Sequence, residues 1–132
     1  MNNYLKIISL GGFGNVTKNM YVYETEKDII IVDCGVGFPE EEMLGVDLVI
    51  PDIAYLLAKK EKLRAIFISH GHDDHIGALP YVLPQLPEHL PIFAPKWAKA
   101  FSWASTTNRV VTGWSVNQMC FCRLLESTMI IK

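Results

Sequence analysis

The pattern of apolar and polar positions predicts a series of short strands in the first part of the chain. Tyr4–Leu10 is apolar and rich in β-forming residues, and glycines beginning at Gly11 end it. A second strand is predicted over Asn19–Glu24, and a charged hairpin turn follows it. The run Ile29–Val32 is continuously apolar, which is typical of a strand buried on both faces.

Further along the chain the pattern alternates between helix and strand. A helix is predicted over Asp52–Leu63, with the aspartate as its cap, and the strand Ala65–Ile68 follows it. Ile76–Leu86 has helical character that is broken or restarted at Pro80, and Pro91–Ala94 is a last short strand. Strands first, and then strand and helix in alternation, predict an α/β fold with a largely buried sheet.

The composition changes after Pro95. All three tryptophans and two of the three cysteines lie beyond this residue, but only one of the fourteen acidic residues and no histidine do. Ser102–Gln118 shows neither helical nor strand periodicity. Residues 1–95 are therefore expected to form one unit, and residues 96–132 an atypical tail. The tail is either a linker or unusual subdomain, or a truncated or frame-shifted end that does not continue the domain naturally.

Length, charge and cysteine content limit the possible classes of protein. A chain of 132 residues suffices for one modest domain. Its net charge of −2 provides no basic field, so nucleic-acid binding cannot be argued from charge. Cys34, Cys120 and Cys122 form an odd set that fits a reducing compartment. The N-terminus lacks the long apolar region of a signal peptide and no apolar run could cross a bilayer, so a cytoplasmic protein without a membrane partner is expected.

The hexapeptide His70–His75 is the strongest candidate for chemistry. Imidazole and carboxylate are the ligands of hydrolytic zinc sites, and four of them fall within these six residues. His70 and His72, just past a strand end, can hold one metal, while Asp74 and His75 can reach a second. Two neighbouring cations can activate a water and stabilise charge on a phosphate or carbonyl oxygen. A metal site is the preferred interpretation, and a set of solvated loop residues is the alternative. The reason is that three histidines and an aspartate follow a buried strand in this order.

Two further polar residues near the hexapeptide are given no ligand role. Asp73 is expected to face outwards, and His89, in a proline-bounded loop, is expected to be exposed. Asp33 ends a predicted strand and is a turn residue by its position alone. The glycine loop Gly11–Lys18 lacks the Gly-Lys-Ser/Thr ending of a P-loop. It is expected to be a tight connection between strands near the site, with a weak case for phosphate contact.

The hexapeptide has the form His-x-His-x-Asp-His, and the sequence resembles the metallo-β-lactamase superfamily. The runs around it are similar to the ribonuclease J family of the beta-CASP group within that superfamily. These runs are Leu10–Gly14, Lys18–Met20, Val32–Gly35, Gly45–Asp52 and His75–Tyr81. The chain departs from the family pattern at Asn15 and Thr17, where a glutamate and a glycine are usual.

The resemblance implies a partial αββα sandwich, the first half of the domain. It implies a zinc-dependent ribonuclease with 5′-to-3′ exonuclease and endonuclease activity in RNA maturation and decay. His70 and His72 would bind one zinc, and Asp74 and His75 the other, with Asp74 also catalytic beside the attacking water. Asp33 would orient a metal ligand. RNA is the implied partner, and homo-oligomers are implied for the full-length family.

The chain lacks the later ligands that the resemblance would require. No histidine follows His89 and no aspartate follows Asp74, whereas the family supplies a histidine, an aspartate and another histidine downstream. A half-sandwich would expose its inner face, so a poorly folded or self-associating chain with at most weak single-metal binding at His70 and His72 is expected. Two alternatives remain open: another hydrolase of this fold acting on a small ester or thioester, and an inactive fragment.

Overall fold

The computed structural model describes residues 4–95 and 110–114. Six strands form one mixed sheet in chain order, with the first three antiparallel and the rest parallel. The strands are β1 (Lys6–Gly11), β2 (Met20–Glu24), β3 (Ile29–Val32), β4 (Leu63–Phe67), β5 (Ile92–Pro95) and β6 (Val110–Trp114). The expected α/β class is confirmed.

The helices are shorter than the sequence pattern indicated. They are α1 (Ala54–Leu57), α2 (Asp73–Ile76) and α3 (Leu79–Val82), with 3-10 turns at Lys60–Lys62 and Leu83–Gln85. The prediction of one helix over Asp52–Leu63 is wrong in extent, because Leu63 already begins β4. The predicted capping role of Asp52 is wrong, because the N-cap of α1 is Ile53 and no side chain caps the helix. Asp52 Oδ1 instead accepts the N–H of Ala54 at 2.8 Å in a local turn that leads into the helix. No helix of the described residues is long and apolar enough to span a bilayer.

The predicted helical segment Ile76–Leu86 consists of separate short pieces. It contains the end of α2, all of α3 and the second 3-10 turn. Pro80 lies in the first turn of α3 and Pro84 in the first turn of the 3-10 segment, so the predicted restart at Pro80 is confirmed. Both prolines lack the N–H that would continue a helix from the preceding residues, and this limits each piece to about one turn.

One face of the sheet carries the core. Alternate strand residues on this face are fully buried and cluster with side chains of the helices; the main members are Met20, Val22, Ile29, Ile31, Ile66, Ile92, Leu56, Ile76, Leu79 and Val82. On the opposite face, Ile30 and Val32 are only half-buried. The prediction that Ile29–Val32 is buried on both faces is therefore wrong for the second face.

The sheet also extends into the region where no regular structure was predicted. Val110–Trp114 forms β6, parallel to β5, with Ile92 opposite Val110. The sequence Val-Val-Thr is β-prone, but a five-residue strand is too short to show periodicity against irregular flanks. The rest of the predicted tail, including Cys120 and Cys122, lies outside the described residues.

Strand directions bring the segments of interest to one edge. Because β3 and β4 are parallel, with Val32 opposite Phe67, the residues that follow both strands emerge together. Strand β2 is antiparallel to β3 and therefore begins at the same edge, with Tyr21 opposite Val32. Asp33, the hexapeptide and Asn19 consequently meet where these three strands end or begin.

Candidate metal centre

The first donor pair is His70 and His72, which lie in the extended segment between β4 and α2. His70 Nε2 lies 3.2 Å from His72 Nδ1. Two nitrogens on one tetrahedral zinc, each about 2.0–2.1 Å from the metal, are separated by roughly 3.3 Å. The spacing therefore fits a shared ion. The pKa of His70 is lowered by burial and then by the neighbouring His75 and His72, which favours the neutral imidazole that metals bind.

The second donor pair is Asp74 and His75 in the single turn of α2. Asp74 Oδ2 lies 3.3 Å from His75 Nε2, so this pair also has the spacing of two ligands on one ion. The ring centroids of His70 and His75 are 4.0 Å apart, which places the two pairs side by side. Among residues 4–95 and 110–114, no three such donors are arranged to hold one ion. The hexapeptide thus presents two adjacent pairs, grouped as the sequence predicted.

Asp33 contacts the second pair directly. It is buried, with φ of 63°, and its carboxylate accepts the backbone N–H of Ser69 at 2.7 Å and the Ser69 hydroxyl at 2.8 Å. His75 Nδ1 lies 2.8 Å from Asp33 Oδ2. Because an ionised carboxylate only accepts, Nδ1 carries the proton and the Nε2 lone pair faces Asp74. Asp33 thereby orients the imidazole of a candidate metal ligand, and its role at a metal stays a prediction.

Two side chains at the site had no assigned role in the sequence. Asn19 Nδ2 donates to Asp74 Oδ2 at 3.1 Å and lies 3.3 Å from His75 Nε2. The hydroxyl of Ser69 lies 2.9 Å from His70 Nδ1 as well as contacting Asp33. Asn19 belongs to the run Lys18–Met20 that carries the family resemblance, and Ser69 immediately precedes the hexapeptide. Neither position indicates a partner.

Close backbone packing fixes the start of α2. A Cβ at Gly35 would lie 1.5 Å from the carbonyl oxygen of Asp74, so no larger residue fits there without a backbone shift. The N–H of Cys34 donates to the carbonyl of His75 at 2.7 Å, and the N–H of Asn19 donates to the carbonyl of Asp74 at 2.9 Å. The segments after β3 and before β2 therefore hold both ligands of the second pair by their main chain.

Cys34 lies in this packed segment but is unsuited to chemistry. Burial, and then the charge of Asp33, raise the pKa of the Cys34 thiol far above neutrality. Burial therefore disfavours the thiolate that a nucleophilic cysteine needs.

An open depression of about 570 Å³ adjoins the two pairs. Of residues 4–95 and 110–114, those that line it are Val16, Thr17, Phe38, Gly71, His72, Asp73 and Asp74, with no lysine or arginine among them. The predicted position of the glycine loop near the site is confirmed, because Val16 and Thr17 belong to it. Asp73 and His89 are both exposed, as expected.

Comparison with known proteins gives matches over most of the chain. A model of the metallo-beta-lactamase superfamily matches residues 14–114. The chain is 50% identical over 95 residues to ribonuclease J 2 of Staphylococcus aureus and 44% identical over 120 residues to ribonuclease J 2 of Staphylococcus saprophyticus. These matches cover 72% and 88% of the chain but only 17% and 21% of the relatives. The chain thus spans about a fifth of their length or less.

A solved structure supports the same fold. The peroxy diiron species of the chemotaxis sensor ODP superposes with a TM-score of 0.52 over 82% of this chain and 40% of the other. The sequence identity is 19%, so this likeness concerns the fold alone.

Proposed function

The chain belongs to the metallo-beta-lactamase superfamily, and on that premise we propose that it contributes the front part of a zinc centre in a ribonuclease of the ribonuclease J type. The observation that carries the proposal is the pairing of His70 with His72 and of Asp74 with His75, each at the spacing of two ligands on one ion. The names of the relatives support ribonuclease activity.

Each residue has a distinct part in this proposal. His70 and His72 would hold one zinc, and Asp74 and His75 would hold the other. When bound, the metals would supply Lewis-acid chemistry that lowers the pKa of a water and offsets charge on the scissile phosphate. Asp33 would keep the proton of His75 on Nδ1, and the Asp74 carboxylate at the rim of the depression would accept a hydrogen bond from that water.

The charges of the residues that line the depression support a role for the metals in binding phosphate. Among the described residues that line the depression there is no lysine or arginine, so these residues offer the phosphate no positive side chain. Asp73 and Asp74 add negative charge at the same place. In this proposal the cations supply positive charge for the phosphate that the described lining residues do not. The proposed action is exonuclease and endonuclease cleavage in RNA maturation and decay, in the cytoplasm and within a homo-oligomer.

A segment exchange tests the proposal. The matched 95-residue segment of Staphylococcus aureus ribonuclease J 2 is replaced by that of this chain, and degradation of 5′-monophosphorylated RNA is followed with zinc and with a chelator. We expect zinc-dependent degradation by the exchanged protein. A matched exchange carrying His72→Ala should degrade RNA only at background rate, while one carrying His89→Ala should remain active because His89 is exposed in a separate loop.

The same assay separates the alternatives. Hydrolysis of an S-acyl thiol substrate without RNA cleavage would favour a small-molecule hydrolase of this fold. Absence of zinc-dependent turnover on both substrates would favour an inactive segment. The chain alone is expected to turn over neither substrate, since four donors in two pairs leave each ion short of the coordination a catalytic zinc requires.

A further inference from the structure

The side-chain amide of Asn19 lies between the two ligands of the second pair. Its Nδ2 is 3.1 Å from Asp74 Oδ2 and 3.3 Å from His75 Nε2, and these two atoms are themselves 3.3 Å apart. A third contact, with the carbonyl of Val16 at 3.2 Å, ties the amide to the glycine loop. One NH₂ group therefore faces the carboxylate, the imidazole lone pair and the loop together.

The backbone holds Asn19 in place independently of its side chain. Its N–H donates to the carbonyl of Asp74 and its carbonyl accepts the N–H of Gly35, each at 2.9 Å. The residue is buried, with 9% of its surface exposed. The side chain can thus be removed without breaking the main-chain bonds that join β2 to α2.

We propose that Asn19 is a positioning residue for the second metal, holding Asp74 Oδ2 and His75 Nε2 at ligand spacing before the ion binds. This rests on the proposed function, in which Asp74 and His75 bind zinc. A preformed pair of ligands binds a metal ion more tightly, because the two side chains are already ordered in the free protein and lose less conformational entropy on binding. Asp33 fixes the same imidazole from its other nitrogen, so the ring is restrained on both sides.

Metal binding changes only part of this arrangement. His75 Nε2 must give its lone pair to the ion, so its contact with the Asn19 amide is lost. The amide keeps its bonds to Asp74 Oδ2 and to the Val16 carbonyl, which continue to orient the carboxylate. The positioning role therefore predicts that removing the amide weakens zinc binding at this pair; an amide that merely competed with the ion would predict the opposite.

Histidine-selective ¹⁵N labelling with magic-angle-spinning NMR of the sedimented full chain tests this, because the method tolerates oligomers. Four histidines give eight ring nitrogens, and exposed His89 is an internal reference. Without metal, Asn19→Ala should move the His75 Nε2 resonance towards that of an acceptor without a donor. On addition of Zn²⁺ alone, the concentration that shifts His75 Nε2 should rise about tenfold, in the range found for residues that orient metal ligands.

The matched control is Asn15→Ala, which removes an exposed amide from the same loop, bonded only to Thr17 among the described contacts. It should leave both His75 measurements unchanged, and neither variant should alter the Zn²⁺ response of His70 and His72. Equal or tighter Zn²⁺ binding at His75 in Asn19→Ala would overturn the proposal, as would an unmoved metal-free Nε2 resonance. If Zn²⁺ shifts no histidine of the unmodified chain, the proposed metal function fails, and the metal-free resonance alone then decides whether Asn19 holds His75.

Discussion

At the scale of single residues, Asp33 combines a strained backbone with a carboxylate that contacts two other residues. Its φ of 63° is uncommon for a residue with a side chain, and aspartate and asparagine tolerate it best. The carboxylate serves Ser69 and His75 together. An acceptor on both oxygens is needed, since both neighbours direct hydrogens at it.

Replacing Asp33 by asparagine should alter metal binding more than folding. The backbone conformation remains accessible, but one acceptor oxygen becomes an NH₂ group. If that group faces His75 Nδ1, the ring proton must move to Nε2, the nitrogen that faces Asp74. We expect zinc affinity to fall by about 10- to 100-fold, measured by equilibrium dialysis. Asp28→Asn, at the other end of β3 and paired with Arg64, is the control and should bind zinc as the unmodified chain does.

Glu24 is a second buried carboxylate. It is the last residue of β2, at the end of the strand away from the site. Burial raises its pKa, but hydrogen bonds from Lys59 and Tyr55 outweigh burial and lower the pKa to about 2. Lys59 Nζ lies 2.7 Å from Oε1 and Lys62 Nζ lies 3.5 Å from it. The ion pair joins the end of β2 to the region of α1.

This pairing predicts an acid-dependent loss of stability. With a native pKa of about 2 and an ordinary value of 4.5, Glu24 stabilises the fold fully above pH 4.5, and the contribution disappears as the pH falls towards 2. Allowing for screening at half-exposed Lys59, we expect roughly 1–3 kcal/mol. Urea unfolding between pH 2 and 7 measures it. Glu24→Gln should flatten this part of the profile, and an unchanged slope in the variant would contradict the assignment.

At the scale of elements, the position of α2 depends on close contact with the segment after β3. The helix is a single turn and has little stability of its own, since isolated short helices are marginal in water. Bonds from Cys34 and Asn19 hold its carbonyl groups, and Gly35 permits the approach.

Gly35→Ala should therefore destabilise the chain and separate the site residues. Its Cβ would meet the Asp74 carbonyl, a backbone atom that cannot rotate away. We expect a loss of about 3 kcal/mol or more in unfolding free energy, measured by urea denaturation. Gly14→Ala is the matched control. Its Cβ would meet nothing within 4 Å, so it should lose only the about 1–2 kcal/mol that a left-handed backbone costs a residue with a side chain. Equal losses in both variants would contradict the packing explanation.

At the scale of the whole molecule, apolar side chains are concentrated on the connection between β3 and α1. Six large ones are exposed there: Phe38, Met43, Leu44, Val46, Leu48 and Ile50. Leu44 is 90% exposed and Phe38, which lines the depression, is 63% exposed. Single exposed apolar residues are ordinary, but six on one connection of the chain favour association.

We expect the chain alone to self-associate at micromolar concentrations, as the sequence predicted. Gel filtration with light scattering should give a mass above 14.9 kDa that falls on dilution. A double variant, Phe38→Ser with Leu44→Ser, should shift the population towards monomer. Its unfolding free energy should change by no more than about 0.5 kcal/mol for each exposed position. A monomer at all concentrations in the unmodified chain would refute the expectation.

The sequence determined the features that depend on neighbouring residues. Short runs such as Ile29–Val32 identified strands because β-branched side chains suit a pleated backbone, and Pro80 marked a helix start because proline fixes φ and lacks an N–H. The hexapeptide contained both donor pairs because each pair lies within three residues. Helix lengths were overestimated, because apolar periodicity does not show where the next strand begins. Strand β4, for example, already begins at Leu63.

Only the tertiary structure decided which distant groups contact the candidate ligands. Asn19 and Asp74 are 55 residues apart, and Asp33 and Ser69 are 36 apart, yet each pair is joined by a side-chain hydrogen bond. Parallel pairing of β3 with β4 brings the ends of these strands to one edge, and β2 begins there because it is antiparallel. No local pattern records this meeting, because it follows from strand order and direction. The candidate ligands could therefore be predicted from the sequence, whereas the contacts of Asn19 and Ser69 with them are set by the fold.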